Sequence, residues 1–173
     1  YLLWADNASG LIQIKLARST SSGDTFTDLG IVDRNLTNVN RNPYIAVDDS
    51  GTVHWAWARG TGGTNQDPHP WIGYNRSTDR GNTFLPRDIV INDDITGVYR
   101  GNPSVTYNPV NGNVIVSWED CRRAGGNNNS DIWFSRMARN DTLFQPNKRV
   151  NWWGPDTTIR YDNFKPVIRM DPN

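Results

Sequence analysis

A block of eight residues recurs about every sixty positions in this chain. A period of that length demands a repeat architecture, in which each unit buries its apolar face against its neighbour. The fullest copy runs Ser77, Thr78, Asp79, Arg80, Gly81, Asn82, Thr83, Phe84. A looser copy runs from Ser19 to Phe26, and a third, Met137 to Phe144, keeps little beyond its terminal aromatic.

The same period holds away from the block. Asn42-Pro43 returns as Asn102-Pro103 and then as Lys165-Pro166, so the prolines step by 60 and 63. Trp4, Trp57 and Trp118 close three apolar runs, and Ile12, Ile72 and Ile132 are spaced 60 and 60. Phe26, Phe84 and Phe144 are spaced 58 and 60, and Val32, Val90 and Val150 each follow a Phe by six.

Within one unit the pattern reads as four short strands. Pro43 to Val47 alternates apolar and polar, Asp48 to Gly51 is a turn, and Thr52 to Trp57 is a second strand. A polar loop leads to Trp71 to Arg76, and Ile89 to Ile91 follows the Phe84 turn. The next unit repeats this order with Val105 to Tyr107, Val114 to Trp118, Ile132 to Ser135 and Val150. No segment reads as a helix. Four antiparallel strands per sixty residues is the blade of a β-propeller, so residues 1–173 are expected to form one all-β propeller segment of about three four-stranded blades. The repeats fall at about 1–40, lacking a first strand, then 41–100 and 101–160, with 161–173 as the first strand of a further blade.

Composition narrows the function classes. Eighteen basic residues balance eighteen acidic ones, so no electrostatic case exists for nucleic acid or an anionic membrane surface. No run of about eighteen apolar residues is present, and no membrane span is expected. No leader sequence heads the chain, which in an extracellular protein points to processing or to a sequence that begins downstream of the natural start. Seventeen of the acidic residues are Asp, against the single Glu119, a bias that suits turns because the short side chain bonds nearby backbone. A single cysteine, Cys121, excludes an internal disulfide framework and reads as a buried thiol. Five N-x-Ser/Thr sequons, at Asn7, Asn35, Asn75, Asn128 and Asn140, mark candidate glycosylation sites on an extracellular or cell-surface protein.

The chemistry of the repeated block is that of a hairpin staple. Hydroxyls and a carboxylate flank a Gly able to take a positive φ, and they can bond the turn backbone while the aromatic plugs it. The block resembles the Asp-box, or BNR, repeat of sialidase-like propellers, whose pattern is S-x-D-x-G-x-T-F/W. Ser77, Asp79, Gly81, Thr83 and Phe84 match throughout; Ser19, Gly23, Thr25 and Phe26 match in the first copy, where Ser21 stands for the Asp; Phe144 alone survives in the third. Trp118 to Arg122 and Asp131 to Arg136 are similar to the W-x-D-x-R and D-I-Y-F-S-R strands of secreted bacterial and archaeal BNR proteins. The resemblance covers nearly the whole chain, and it implies Asp-box hairpins between third and fourth strands, away from any active site.

The resemblance further implies what a sialidase would carry: an Arg triad for the substrate carboxylate, a Tyr nucleophile assisted by a Glu, and an Asp acid/base. The F/Y-R-I-P motif of the first triad Arg is absent here. Glu119, Asp120 and Arg122 are the catalytic candidates, although Glu119 occupies a strand position held by Ala5 and Ala58 in the other units. Arg18, Arg76 and Arg136 share one column before each box, which suits a structural role better than a triad converging on one point. His54, His69 and Cys121 lack zinc spacing. Asp93 and Asp94 cluster oxygens that could hold calcium, outside any EF-hand spacing, with a solvated turn as the plainer reading. Trp71, Trp152 and Trp153 lie in or beside loops, where an indole could stack on a sugar.

The expectation is therefore a scaffold or recognition module outside the cell, with a glycan or another cell-surface molecule as ligand class. Part of a sialidase-like glycosidase, and a purely structural surface or self-assembling protein completed by another chain, are the alternatives. No cofactor is expected beyond the calcium candidate. Because propellers close with four to eight blades, the expected partner is the remainder of a longer chain or a second copy completing the ring.

Overall fold

The computed structural model describes residues 1–34, 39–60, 69–123, 130–151 and 165–171. They form three antiparallel sheets and no helix. The first sheet has the order β1 (Leu2–Asp6), β2 (Gln13–Arg18), β3 (Thr27–Ile31). The second runs β4 (Asn40–Val47), β5 (Val53–Arg59), β6 (Trp71–Ser77), β7 (Ile89–Val90), and the third runs β8 (Arg100–Tyr107), β9 (Val114–Asp120), β10 (Asp131–Met137), β11 (Lys148–Arg149). Each is a simple meander, so consecutive strands are neighbours throughout. No helix among the described residues is long and apolar enough to cross a membrane.

Two apolar cores lie between the sheets. Ile14, Leu16 and Val32 of the first sheet meet Val53, Trp55 and Trp57 of the second, with Phe84 packed against them. On the second sheet's other face, Ala56, Ile72, Tyr74 and Ile91 meet Val105, Val114, Val116, Trp118 and Met137 of the third. Side chains alternate across a strand, so β5 sends its odd residues to one core and its even ones to the other. That is why β5 is buried along all but its last residue.

The strand register corrects two of the repeat columns. Ile14, not Ile12, is equivalent to Ile72 and Ile132, because Ile14, Ile72 and Ile132 carbonyls accept from Val32, Ile91 and Val150 amides at 2.8, 2.9 and 2.8 Å. By the same bonds the Val column runs through Ile91 rather than Val90. The Trp column holds: Trp4, Trp57 and Trp118 pair with Lys15, Gly73 and Trp133. Ala5, Ala58 and Glu119 likewise share one position, opposite Ile14, Ile72 and Ile132.

Each Asn-Pro pair makes a bulge. The β4–β5 register shifts between Arg41 and Tyr44, and the β8–β9 register shifts between Gly101 and Ser104. Asn42 and Asn102 take φ of 49° and 44°, a left-handed conformation that Asn tolerates, and the following proline needs no ladder donor. Lys165, before Pro166, shares it at φ 50°. The expected strand from Lys165 to Met170 is not formed; the segment is irregular backbone lying on the third sheet, where Ser104 Oγ is 3.2 Å from the Ile168 amide. Nothing pairs with it as a second strand among the described residues.

The hairpin staples are built as their chemistry predicts. Ser77 Oγ accepts from the Gly81 amide at 2.7 Å, and Asp79 accepts from the Thr83 amide at 2.8 Å and from its hydroxyl at 2.6 Å. The Thr83 bonds, and a third that Ser77 Oγ donates to Asp79 Oδ1 at 2.8 Å, hold the Asp79 carboxyl down at about 2. Ser21 does the work of Asp79 in the first copy, accepting from the Thr25 amide at 2.9 Å, while Ser19 accepts from Gly23 at 2.9 Å. In the third copy Met137 replaces the serine and is fully buried. Phe84 meets Trp55 edge-on at 5.4 Å and Phe144 meets Tyr74 at 5.1 Å, but Phe26, expected to plug its hairpin, is 46 % exposed.

Candidate functional site

Chemistry-bearing residues of the second and third units converge on one cluster, centred on buried Arg100 and Asp120, at the start of β8 and the end of β9. Arg100 is fully buried. Its Nε donates to Asp120 Oδ2 at 2.9 Å, its Nη1 to the Pro70 and Thr96 carbonyls at 2.5 and 3.0 Å, and its Nη2 to both oxygens of Asp94. Asp120 also accepts from Trp118 Nε1 at 2.9 Å and from Arg122 Nη2 at 2.7 Å. The Arg122 guanidinium lies 4.0 Å from the Trp133 ring centroid and donates to Asp93 at 2.8 Å. Sequence reasoning named Asp120, Arg122, Asp93 and Asp94 separately. It missed Arg100, which joins them.

This arrangement gives the two calcium candidates other partners. Asp93 and Asp94 spend their oxygens on Arg122 and Arg100, and two guanidinium charges at those positions oppose a cation instead of recruiting one. Among the described residues no group of three or more His, Cys, Asp or Glu is placed to hold a metal ion.

Glu119 is buried beside this cluster, facing the other way. Its Oε1 accepts from Asn102 Nδ2 at 2.9 Å and from the Lys165 amide. The bond explains why a carboxylate replaces the Ala of the other units. Asn42 Nδ2 donates to Asn102 Oδ1 at 3.0 Å, so the bulge asparagines form a ladder. Position 165 is Lys, which has no side-chain acceptor, and Glu119 supplies one. Tyr99 also bonds Glu119; burial first, and that carboxylate second, push its phenol up to about 12.

A second buried network caps the first core. Asp33 Oδ1 accepts from the Ile14 amide at 2.7 Å and Oδ2 from Asn40 Nδ2 at 2.6 Å, while Asn40 Oδ1 accepts from Trp57 Nε1 at 2.9 Å. Asn92 and Asn151 repeat the cap on Ile72 and Ile132 at 2.9 and 2.7 Å. Burial raises the Asp33 carboxyl to about 6. A carboxyl raised above its unfolded value stabilises most below about 4, and that contribution is lost as pH rises through 6. Denaturant midpoints should therefore fall between pH 4 and 7 on this account, and Asp33→Asn should flatten the slope. An unchanged slope in the variant would show that Asp33 is ionised throughout.

The remaining predicted residues are dispersed. Arg18 Nη1 donates to the Arg80 carbonyl at 2.8 Å and Arg76 Nη1 to the Arg139 carbonyl at 3.2 Å, so this column clasps each sheet to the next hairpin. His54 Nδ1 lies 2.7 Å from the Tyr74 hydroxyl in the second core, and Cys121 is buried. Trp71 is half-buried, with the Arg59 guanidinium 5.4 Å from its ring centroid. Trp152, Trp153, Asn35 and Asn128 lie outside the described residues.

Asn75 is corrected as a glycosylation site. It is fully buried, its Nδ2 donates to Asp88 at 2.8 Å and its Oδ1 accepts from Leu85 at 3.0 Å, so the amide that would carry a sugar is enclosed. Asn7 and Asn140 are exposed. Secretion from a glycosylating host, followed by peptide mapping, should find Asn75 unmodified; a glycan there would mean that modification precedes folding.

No protein-family model matches the sequence, and no curated protein matches it. Among solved structures, the chain is similar to a protein of unknown function from Dyadobacter fermentans DSM 18053, at 16% identity and a TM-score of 0.51 over 76% of this chain and 41% of that one. It is also similar to the Hadza microbial sialidase Hz136, at 15% identity and a TM-score of 0.50 over 83% of this chain and 34% of that one. The chain thus spans less than half of either structure, and at these identities the likeness is one of fold.

Proposed function

We propose that the three sheets are consecutive blades of a β-propeller of the Asp-box type, and that this stretch is a non-catalytic scaffold or recognition module outside the cell, with a glycan as its ligand class. The observation that carries this reading is how the acidic candidates are spent. Asp120, Asp94 and Asp93 are committed to Arg100 and Arg122, and buried Glu119 is committed to Asn102 and the Lys165 amide. A glycosidase needs a carboxyl group facing a substrate. Recognition falls to Trp71, whose half-buried indole beside Arg59 combines an apolar face with a hydrogen-bond donor.

Glycan-array binding and a fluorogenic sialoside assay on the intact protein test the proposal together. Binding without turnover, weakened by Trp71→Ala, is the expected result. Turnover that disappears in Glu119→Gln would overturn it in favour of the second reading, a sialidase-like glycosidase. That reading draws on the fold likeness to a sialidase and on the Tyr99–Glu119 contact. A phenol held up to about 12, however, is a poor nucleophile at neutral pH. Silence in both assays would point to a purely structural surface protein.

A further inference from the structure

The hairpin after β10, Ala138 to Phe144, is the one whose staple has decayed. It keeps a backbone turn bond from the Asp141 amide to the Ala138 carbonyl at 3.0 Å, but Met137 stands where Ser77 accepts from Gly81, and Leu143 where Thr83 bonds Asp79. The second sheet holds it instead. Arg76 Nη1 donates to the Arg139 carbonyl at 3.2 Å, and Phe144 meets the Tyr74 ring edge-on at 5.1 Å. Tyr74 and Arg76 lie two apart on β6 and so share a face. Both hold the hairpin, and both meet one buried imidazole.

His54 is 3 % exposed and pairs with Arg76 across β5 and β6. Its Nδ1 lies 2.7 Å from the Tyr74 hydroxyl, and Arg76 approaches that hydroxyl as a second partner. A guanidinium can only donate, so the phenol oxygen accepts from Arg76 and its single proton goes to His54 Nδ1. The neutral ring therefore carries its own proton on Nε2. That atom faces Asp48 Oδ2 at 3.5 Å, too long for a hydrogen bond, while Asp48 Oδ1 accepts from the Ser50 and Thr52 amides at 2.9 and 2.8 Å. From the third sheet come Arg139 and, beside Asp48, Tyr107, whose hydroxyl donates to Asp49 at 2.6 Å. Ile115 and Phe134 hold the His54 and Tyr74 positions in that sheet, so the strands themselves do not require this pair.

A proton on Nδ1 would reverse the bond to Tyr74. The phenol oxygen would have to accept from His54 and Arg76 together, its own proton would lose its acceptor inside the core, and two cations would share one oxygen. We propose that His54 is an acid-sensitive latch, whose protonation dislodges Arg76 and Tyr74 and releases the Ala138–Phe144 hairpin from the second sheet. The device lies wholly between the second and third sheets and does not depend on what this stretch binds. Burial, above all, holds the latched imidazole below its ordinary 6.5; Asp48 pulls it back up, and Arg76 and Arg139 push it further down. With the hairpin released the ring is hydrated and titrates near the ordinary value. The released form therefore binds more protons in between. Release grows as pH falls below about 6.5, by at most about tenfold per pH unit, and levels off below the latched value.

Two measurements on the intact chain, between about pH 7.5 and about pH 5, test the latch. Amide exchange corrected for its intrinsic pH dependence should show residues 138–145 losing protection severalfold on acidification, while β5 and β6 keep theirs. An NMR titration of the His54 ring should have a midpoint below 6.5 that coincides with this loss. In His54→Gln the side-chain amide can accept from Tyr74 and cannot titrate, so the hairpin should stay protected at both pH values. Protection that is constant across the His54 midpoint overturns the proposal. The same loss in His54→Gln also overturns it, by assigning the acid response to another group. Should that variant not fold, the wild-type pair decides alone: release that tracks the imidazole supports the latch, and release at a different pH sinks it.

Discussion

Arg100→Ala is expected to lower the free energy of unfolding by about 3–5 kcal/mol, the usual loss when one partner of a buried ion pair is removed. The size follows from what is left behind. Asp120, fully buried, would lose its Nε partner, and the Pro70 and Thr96 carbonyls would lose the Nη1 donor that ties the β6 approach to the third sheet. Arg100→Lys keeps the charge yet cannot reproduce a fork that reaches a carboxylate on one side and carbonyls on the other, so it should recover only part of the loss. Arg122→Ala should cost less, because the Arg122 side chain is partly exposed and Asp120 retains Arg100. Urea denaturation with an unchanged m-value checks all three. With total stabilities of about 5–15 kcal/mol typical, an Arg100→Ala variant as stable as wild type would show that water replaces the guanidinium.

The contrast between Arg100 and the staples shows what the sequence could reveal. Repeated features are legible because copies vouch for one another, and the Asn-Pro bulges, the Trp column and the Arg clasp all lay on the page three times or nearly so. Asp33, Asn92 and Asn151 form such a column too, stepping by 59 and 59, and were missed because caps are chemically inconspicuous. The shift from Ile12 to Ile14 has a plain cause: Ile14 precedes Ile72 by 58 positions while Ile72 precedes Ile132 by 60, so assuming equal spacing misses by two residues. Arg100, Glu119 and the His54–Tyr74 pair occur in one unit only, and no periodicity could point to them. Asn75 failed for another reason, since a sequon is a surface signal only when its Asn is not needed inside.

Trp57→Ala should cost about 3–5 kcal/mol, the range for emptying a large aromatic site, and a second substitution makes the cause testable. Trp57 is fully buried and donates to Asn40, so its truncation also leaves Asn40 Oδ1 without that donor. Its indole lies over Gly73 on β6: a Cβ added there would come within 2.5 Å of Trp57 Cε2 and 2.7 Å of Cζ2. Lys15 and Trp133 occupy the equivalent position in the other sheets, so the strand itself does not require glycine. The indole does. Gly73→Ala in the wild-type protein should therefore destabilise by about 1–3 kcal/mol through overpacking. In the Trp57→Ala background the same change should be neutral, or stabilising by about 0.5–1 kcal/mol, because Ala restrains the unfolded chain and the clash is gone. A reversal of sign across the double-mutant cycle would establish that Gly73 exists to seat Trp57. Additive losses would instead place the constraint on Gly73 in the backbone, and the pairing of indole and glycine would then be incidental to the junction.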